Sequence, residues 1–319
     1  VVESKTMASA TVAIRNAVRP FLELLEAGDS FLVAVSGGAD SLALAAALLI
    51  EAKPLALNAI AITVDHQLQE KSDLQAEKVS SQLKELGYVQ VITKKVVVST
   101  ESGIESGARD ARYQALMESA QETKAVKVFL GHTRDDQAET VLLGLARGSG
   151  ARSLAGMAAE IGIYIRPLLS LTRTETETAC KEWDLDYWND PHNFNTDFTR
   201  VKIRKEVLPY LEENLDPGIS RALVRSAALL RDDADALDAW AERESTDLEC
   251  DRLAALPRAI RTRIIRMAAY GAGATPGQLT FEHIGAIDAL ICAWKGQGAV
   301  SLPGGVKVER ISGRLSLSR

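Results

Sequence analysis

A glycine-rich segment, Ser36-Gly37-Gly38-Ala39-Asp40-Ser41, combines residue types that bind phosphate. It lies between the apolar run at residues 31–35 and a helical pattern that begins near Leu42. Glycine lets the backbone approach an anion closely, and serine hydroxyls and the N–H groups at a helix start donate hydrogen bonds to it. The segment has neither the Walker A nor the GxGxxG pattern, and its aspartate suits phosphate only across a cation such as Mg²⁺. We predict a pyrophosphate site with Asp40 as a metal ligand; a turn whose aspartate caps a helix is the alternative.

A second group of polar residues follows another apolar run, at residues 126–130. Asp136 and Glu139 are three residues apart in a helical pattern and therefore share a face, and His132 stands just before that helix. Carboxylates in a first helical turn also stabilise the helix through its dipole alone, and a histidine after a strand is usually structural. The pattern therefore leaves two interpretations open: the two carboxylates bind a cation or an amine, or they only stabilise the start of the helix.

Three further positions could contact a nucleotide or a phosphate. Arg109 and Arg112 continue a helical pattern from Glu105, so that one face carries an acid and two guanidiniums. Such a face suits either an ion-pair ladder or a phosphate contact. Asp65 ends the apolar run at residues 59–64, where it either borders an adenine ring or caps a helix.

These residues need a scaffold that gathers them at one edge. Over the first half of the chain, short β-branched runs alternate with amphipathic stretches, which predicts a doubly wound parallel α/β sheet. The predicted strands are residues 31–35, 59–64, 89–97 and 126–130. Because ligands of such sheets bind beyond the carboxyl ends of the strands, the candidate residues should lie together.

The second part of the chain has a different pattern. Helical periodicity replaces the strand rhythm from residue 171 onward, and short apolar runs separated by glycines after residue 299 predict a small β meander. We predict two domains: residues 1–216, which contain the sheet, and residues 217–319, which are mostly helical. Five arginines without an intervening acid, from Arg252 to Arg266, suit either a phosphate-contacting helix or a solvated face.

Composition narrows the class of protein. The 319 residues are 46% hydrophobic and carry a formal charge of -6, which argues weakly against a nucleic-acid partner. No apolar run of membrane-spanning length and no signal-peptide pattern occurs, so we expect a cytoplasmic protein with no membrane partner. The three cysteines are spaced too widely for a zinc site.

The glycine-rich segment resembles the signature of the PP-loop, or N-type, ATP pyrophosphatases. Within that superfamily, the blocks that follow it resemble the tRNA(Ile)-lysidine synthetases, from about residue 31 to residue 209. These blocks are Val64-Asp65-His66, Gly103-Ile104-Glu105, Gly131-His132, Asp135-Asp136-Gln137-Ala138-Glu139-Thr140, Arg147-Gly148-Ser149-Gly150 and Arg166-Pro167-Leu168-Leu169. One departure is His132-Thr133, because many members carry two adjacent histidines there. The resemblance is faint after residue 220.

The resemblance implies a ligase that modifies tRNA, with ATP and Mg²⁺ as cofactors. Its partners would be free L-lysine and the isoleucine tRNA with a CAU anticodon, whose wobble cytidine is adenylylated at C2 and then converted to lysidine, changing AUG to AUA decoding. The implied nucleotide-binding residues are Ser36, Gly37, Gly38, Ala39, Asp40, Ser41 and Asp65; the metal ligands are Asp40 and Asp136; the catalytic residues are Asp40, Asp136, Glu139, Arg109, Arg112 and His132. The oligomeric state stays open, a homodimer included.

Two alternatives share the glycine-rich segment. A tRNA thiolase needs cysteines to carry sulfur or a cluster, and residues 1–179 contain none. A non-catalytic RNA-binding protein with a relic loop would have no need of Asp40 or of the acids at Asp136 and Glu139. Pyrophosphate exchange would distinguish this second alternative from an enzyme.

Overall fold

The computed structural model describes residues 9–67, 72–99, 103–148, 150–189, 196, 198–275 and 277–319, without the side chains of residues 104 and 105. The chain forms two compact units, Val1–Ala228 and Leu229–Arg319. The division falls within one continuous helix, Ile219–Glu244. Our boundary after residue 216 stays a prediction. None of the described helices combines the length and the apolarity that crossing a bilayer requires.

The first unit is built on a six-stranded sheet in the order β3-β2-β1-β4-β6-β5. Its strands are β1 Ser30–Ala34, β2 Asn58–Asp65, β3 Gln90–Lys95, β4 Lys127–Leu130, β5 Glu160–Ile161 and β6 Tyr164–Ile165. All neighbours are parallel except β5, which is antiparallel to β6. The predicted doubly wound sheet is therefore confirmed. Because the chain runs from β1 outward to β3 and then returns to β4, the strand order reverses between β1 and β4, where such folds bind ligands.

Helices cover both faces of this sheet. The helices of the first unit are α1 Ala10–Leu22, α2 Ala39–Ala52, α3 Ser72–Leu86, α4 Ile104–Thr123, α5 Arg134–Ala146, α6 Ala151–Leu154, α7 Arg173–Glu182, α8 Thr199–Lys202, α9 Leu208–Asn214 and the start of α10 Ile219–Glu244. Side chains of β1 alternate between two cores: Phe31 and Val33 pack with α2, whereas Leu32 packs with α4. Burial on both faces explains why residues 31–34 of β1 are all apolar.

The second unit has its own core. It contains the rest of α10, with α11 Cys250–Ala255, α12 Arg258–Gly271, α13 Phe281–Cys292 and the strands β7 Val300–Ser301, β8 Lys307–Ile311 and β9 Arg314–Ser318. Ile264, Ile287 and Val308 are buried together in that core. The three strands form an antiparallel sheet in sequence order, so the predicted β meander is confirmed.

Candidate functional site

The glycine-rich loop joins β1 to α2 at the reversal of the strand order. Gly37 has φ +87°, and a Cβ there would lie 2.6 Å from Val79 Cγ2, so a larger residue would strain the backbone and clash with α3. The Ser36 N–H donates to Ser41 Oγ at 3.1 Å, and the Ser41 hydroxyl donates to the Gly38 carbonyl at 2.9 Å. These bonds fold the loop over the first turn of α2, whose N–H groups are available to an anion.

The end of β4 packs closely against this loop. A Cβ on Gly131 would lie 3.0 Å from the Asp40 carbonyl oxygen, so only glycine lets β4 approach the first turn of α2 without a shift. His132, Thr133 and α5 follow Gly131 directly. This close approach brings the residues after β4 to the residues after β1.

A cavity of about 200 Å³ opens beside the loop at the ends of β1 and β2. Its lining includes Ser36, Asp65, Arg112 and Trp188. Asp65 is 4% exposed. Its Oδ1 accepts the Gln67 N–H at 2.9 Å, whereas Oδ2 has no partner among the described atoms. A buried, unpartnered acceptor in a cavity calls for a ligand donor such as an amine.

One carboxylate from α2 and two from α5 form ion pairs with the same two arginines. Arg173 Nε donates to Asp40 Oδ2 at 3.2 Å, and its Nη2 donates to Asp136 Oδ1 at 3.2 Å. Arg204 contacts both oxygens of Glu139, at 2.6 Å from Nε and 3.0 Å from Nη2, and lies 3.4 Å from Asp136 Oδ1. The structure therefore brings Asp40, Asp136 and Glu139 together, with three carboxylates against two guanidiniums. The excess negative charge favours one additional cation.

Thr133 fixes the position of Asp136. Its N–H and its hydroxyl both donate to Asp136 Oδ2, at 2.8 and 3.0 Å. Burial acts to raise the pKa of Asp136, but Arg173 and the Thr133 N–H outweigh it and hold this pKa below its usual value. Thr133 thus orients a candidate metal ligand.

Burial sets the protonation of the surrounding groups. It raises the pKa of Asp40 and of Glu139, against the lowering effect of their arginine partners. It lowers the pKa of His132 to about 3, and the nearby Arg112 acts in the same direction. His132 is therefore neutral at physiological pH, and its Nδ1 has no partner among the described atoms. A neutral imidazole can accept or donate a hydrogen bond at the site without adding charge.

Arg109 makes no described hydrogen bond or ion pair with the other predicted residues. It is exposed, and its guanidinium stacks over the Tyr113 ring at 5.5 Å, whereas Arg112 lines the cavity. The side chain of Glu105 and the whole of Ser149 lie outside the described residues.

The sequence interpretation missed Arg173, Thr176 and Arg204. Thr176 donates to Asp40 Oδ1, and Arg204 lies in a π-helical turn, Ile203–Val207, between α8 and α9. Such turns often occur at functional sites because they redirect a side chain. The only sequence signal for Arg204 is its place in a basic run, which also fits a solvated face.

Four of the five arginines between Arg252 and Arg266 pair with acidic residues. Arg252 pairs with Glu244, Arg263 with Asp238, and both Arg258 and Arg261 with Asp288. These acids come from α10 and α13, which a linear count of charges cannot place beside α12. In the described part of the chain, Arg266 alone of the five has no such partner.

We expect Arg204→Met to destabilise the first unit, because Glu139 has a fully buried side chain and would lose its counter-charge. Removing one partner of a buried ion pair costs about 3 kcal/mol, and adding Glu139→Gln should recover part of that loss. Urea unfolding of the two variants measures both effects. A cost for Arg204→Met within about 1 kcal/mol, as for an exposed pair, would contradict the burial argument.

Comparisons with known proteins agree with this architecture. A family model described as a PP-loop domain matches residues 10–211, and one described as the TilS substrate binding domain matches residues 248–316. Among solved structures, the U34-tRNA thiolase NcsA from Methanococcus maripaludis, described with its [4Fe-4S] cluster, is similar with a TM-score of 0.58. It is 21% identical and the match covers 70% of this chain and 80% of that one, which supports the fold alone.

Curated relatives match nearly the whole chain. The tRNA(Ile)-lysidine synthase of Thermobifida fusca is 50% identical over 312 residues, covering 96% of each chain. That of Streptomyces coelicolor is 53% identical over 294 residues, covering 89% of this chain and 84% of the relative. With these identities over these lengths, and with both family models in order, the chain belongs to the tRNA(Ile)-lysidine synthase family.

Proposed function

We propose that this chain ligates lysine to C2 of the wobble cytidine of the isoleucine tRNA with a CAU anticodon. Its family membership supports the reaction, and the observation that carries it in this chain is the cluster of Asp40, Asp136 and Glu139 beside the phosphate-binding loop. The cluster joins a nucleotide site to carboxylates that suit an amine. An RNA-binding protein without activity would not require that juxtaposition.

In the first step, the cytidine C2 oxygen attacks the α-phosphorus of ATP and pyrophosphate leaves. The segment from Ser36 to Ser41 binds the pyrophosphate portion through hydroxyl and N–H donors, and Arg112 in the adjacent cavity stabilises charge on the α-phosphate. Asp65 accepts a hydrogen bond from the adenine amine through Oδ2. The exposed Arg109 contacts the RNA backbone.

Asp40 and Asp136 suit Mg²⁺. No group of three or more histidine, cysteine or acidic residues that would hold a metal occurs within the described residues. Mg²⁺ needs only one or two carboxylates when phosphate oxygens and water complete its octahedron, and these two carboxylates already share one cationic partner. A magnesium ion here would neutralise charge on the triphosphate.

In the second step, the ε-amine of lysine attacks C2, AMP leaves and the amine loses a proton. Asp136 and Glu139 lie one helical turn apart and carry two of the three carboxylates of the cluster, so they supply the negative charge that holds an ammonium group. Burial raises the pKa of Glu139, which suits a group that receives a proton. His132, kept neutral, contacts the substrate base.

A tRNA thiolase with the same loop is the nearest alternative in the enzyme class. Residues 1–179 contain no cysteine. Cys180, the first in the sequence, is buried and donates its thiol hydrogen to the Ala39 carbonyl at 3.4 Å, so it is a packing residue. Nothing in the described chain favours sulfur transfer. The homodimer stays a prediction, which light scattering of the purified protein would check.

We expect Asp65→Ala to weaken ATP binding about tenfold, because the adenine amine loses an acceptor while the triphosphate contacts remain. GTP provides the control, since it has the same triphosphate but a carbonyl where adenine has its amine. Equilibrium binding of both nucleotides measures the discrimination. Equal losses for ATP and GTP would mean that Asp65 stabilises the cavity and does not contact adenine.

Exchange of radioactive pyrophosphate into ATP tests the first half-reaction. We expect exchange that requires both Mg²⁺ and the isoleucine tRNA and proceeds without lysine. Exchange that requires lysine and not tRNA would instead indicate an amino-acid adenylating enzyme and would contradict the proposal.

A further inference from the structure

Arg173, the first residue of α7, lies between the two carboxylates that the proposed function assigns to the metal. Its guanidinium contacts Asp40 Oδ2 and Asp136 Oδ1, each at 3.2 Å. The other oxygen of each carboxylate already has a threonine partner, since Asp40 Oδ1 accepts from Thr176 and Asp136 Oδ2 from Thr133. Asp40 Oδ2 and Asp136 Oδ1 lie on either side of the Arg173 guanidinium, so a cation that bridges the two carboxylates through these oxygens would take the place of that guanidinium.

A cation at this place stabilises the two carboxylates even without a nucleotide. The side chains of Asp40 and Asp136 are 18% and 12% exposed, and a positive charge between two ionised carboxylates reduces their mutual repulsion. Arg204 contacts Asp136 but makes no described contact with Asp40. Among the described residues, Arg173 is the cation that bridges the pair.

The Arg173 guanidinium can move away from the two carboxylates while α7 stays in place. The Arg173 backbone N–H donates to Asp135 Oδ2 at 2.9 Å, and the preceding Thr172 caps α7 through Glu175. The Arg173 side chain is 25% exposed, so it has a route to solvent. The backbone is anchored, and only the side chain needs to rotate.

We propose that Arg173 is a placeholder cation whose guanidinium competes with the divalent metal for Asp40 Oδ2 and Asp136 Oδ1. Its positive charge lies between the two carboxylates in the nucleotide-free protein, and it withdraws from at least one of them when the metal binds. Arg173 is thus a positioning residue for the metal ligands. This inference rests on the proposed function only in assigning the metal to Asp40 and Asp136.

Binding of Mn²⁺ alone to the full chain, without ATP, tests the competition through the electron paramagnetic resonance signal of the free ion. We expect Arg173→Gln to bind Mn²⁺ about tenfold more tightly than the unmodified chain, if the guanidinium leaves the two oxygens open in about a tenth of the molecules. Arg173→Gln should also have a lower Tm in a chelator, and saturating Mn²⁺ should narrow that difference. Adding Asp40→Asn should remove the gain in affinity.

Arg134→Gln is the matched control, because Arg134 starts the neighbouring helix α5 and makes no described side-chain contact with either carboxylate. Its effect on Mn²⁺ affinity should be clearly smaller. Unchanged or weaker Mn²⁺ binding by Arg173→Gln, or a gain that persists with Asp40→Asn, would overturn the proposal. If Arg173→Gln does not fold, Arg173→Lys, whose single ammonium bridges less well, should give a smaller gain, and no gain would overturn the proposal.

The measurements distinguish failure of the placeholder role of Arg173 from failure of the metal assignment to Asp40 and Asp136. If the unmodified chain binds Mn²⁺ tightly with ATP and Arg173→Gln gains nothing without ATP, the placeholder role is wrong and the metal site stands. If neither protein binds Mn²⁺ even with ATP present, the metal assignment in the proposed function is wrong as well.

Discussion

Asp40→Asn should reduce pyrophosphate exchange about a thousandfold, with the fold preserved. An amide has the shape of the carboxylate and can still accept the hydrogen bond from Thr176, but it carries no charge to offset a metal beside the pyrophosphate. Loss of this charge should therefore affect chemistry far more than stability. Exchange rates and circular dichroism of the same preparation measure both.

Glu85→Gln is the matched control for removal of one carboxylate. Glu85 lies exposed near the end of α3, with no described partner, so its replacement should leave exchange unchanged. A folded Asp40→Asn protein that exchanges pyrophosphate at a near-normal rate would show that Asp40 only holds α7 in place through Arg173 and Thr176.

Glu139→Gln should separate the two half-reactions. We expect adenylylated tRNA to form at nearly the normal rate and to accumulate, with its conversion to lysidine slowed about a hundredfold or more, because only the second step uses the amine. Quenched single-turnover reactions, with the adenylylated tRNA and the lysidine product resolved, measure each step. Loss of the first step with lysine absent would move Glu139 to the ATP or metal site.

Glu51→Gln controls for the loss of a buried glutamate that pairs with arginine. Glu51 is 6% exposed and accepts from Arg15 Nε at 2.6 Å and Arg19 Nε at 2.9 Å, at the far end of α2 from the loop. Its replacement should lower stability by an amount similar to that for Glu139→Gln without changing either half-reaction. Accumulated intermediate in the Glu51 variant would mean that the effect at Glu139 is indirect.

The centre of the sheet was predictable from the sequence because β1, β2 and β4 are mostly buried. Their β-branched and apolar runs are what two covering layers of helices require, whereas the edge strand β3 is partly exposed and carries two lysines. The strands β5 and β6 were missed, since two residues per strand carry no periodicity. Helix α1 was also missed, although Ile14, Val18 and Leu22 form its buried stripe at a spacing of four.

The acids of the site were predictable, and their partners were not. Asp40 and Asp136 stand directly after strands, where the topology places ligands. Arg173 and Arg204 reach those acids across 133 and 68 positions of sequence, and the local pattern of an arginine is the same on a solvated face. The arginines from Arg252 to Arg266 show the same difficulty, because Asp288 pairs with Arg258 and Arg261 from a different helix.

The most direct test of the proposed ligase activity is a mass analysis of nucleosides from isoleucine tRNA after incubation with the protein, ATP, Mg²⁺ and L-lysine. We predict that one cytidine per tRNA gains the mass of lysine less one water, only when all components are present, and that isotopically labelled lysine shifts this product by the mass of its label. A tRNA whose nucleosides stay unchanged while a folded, ATP-binding protein is present at equal concentration would contradict the proposal.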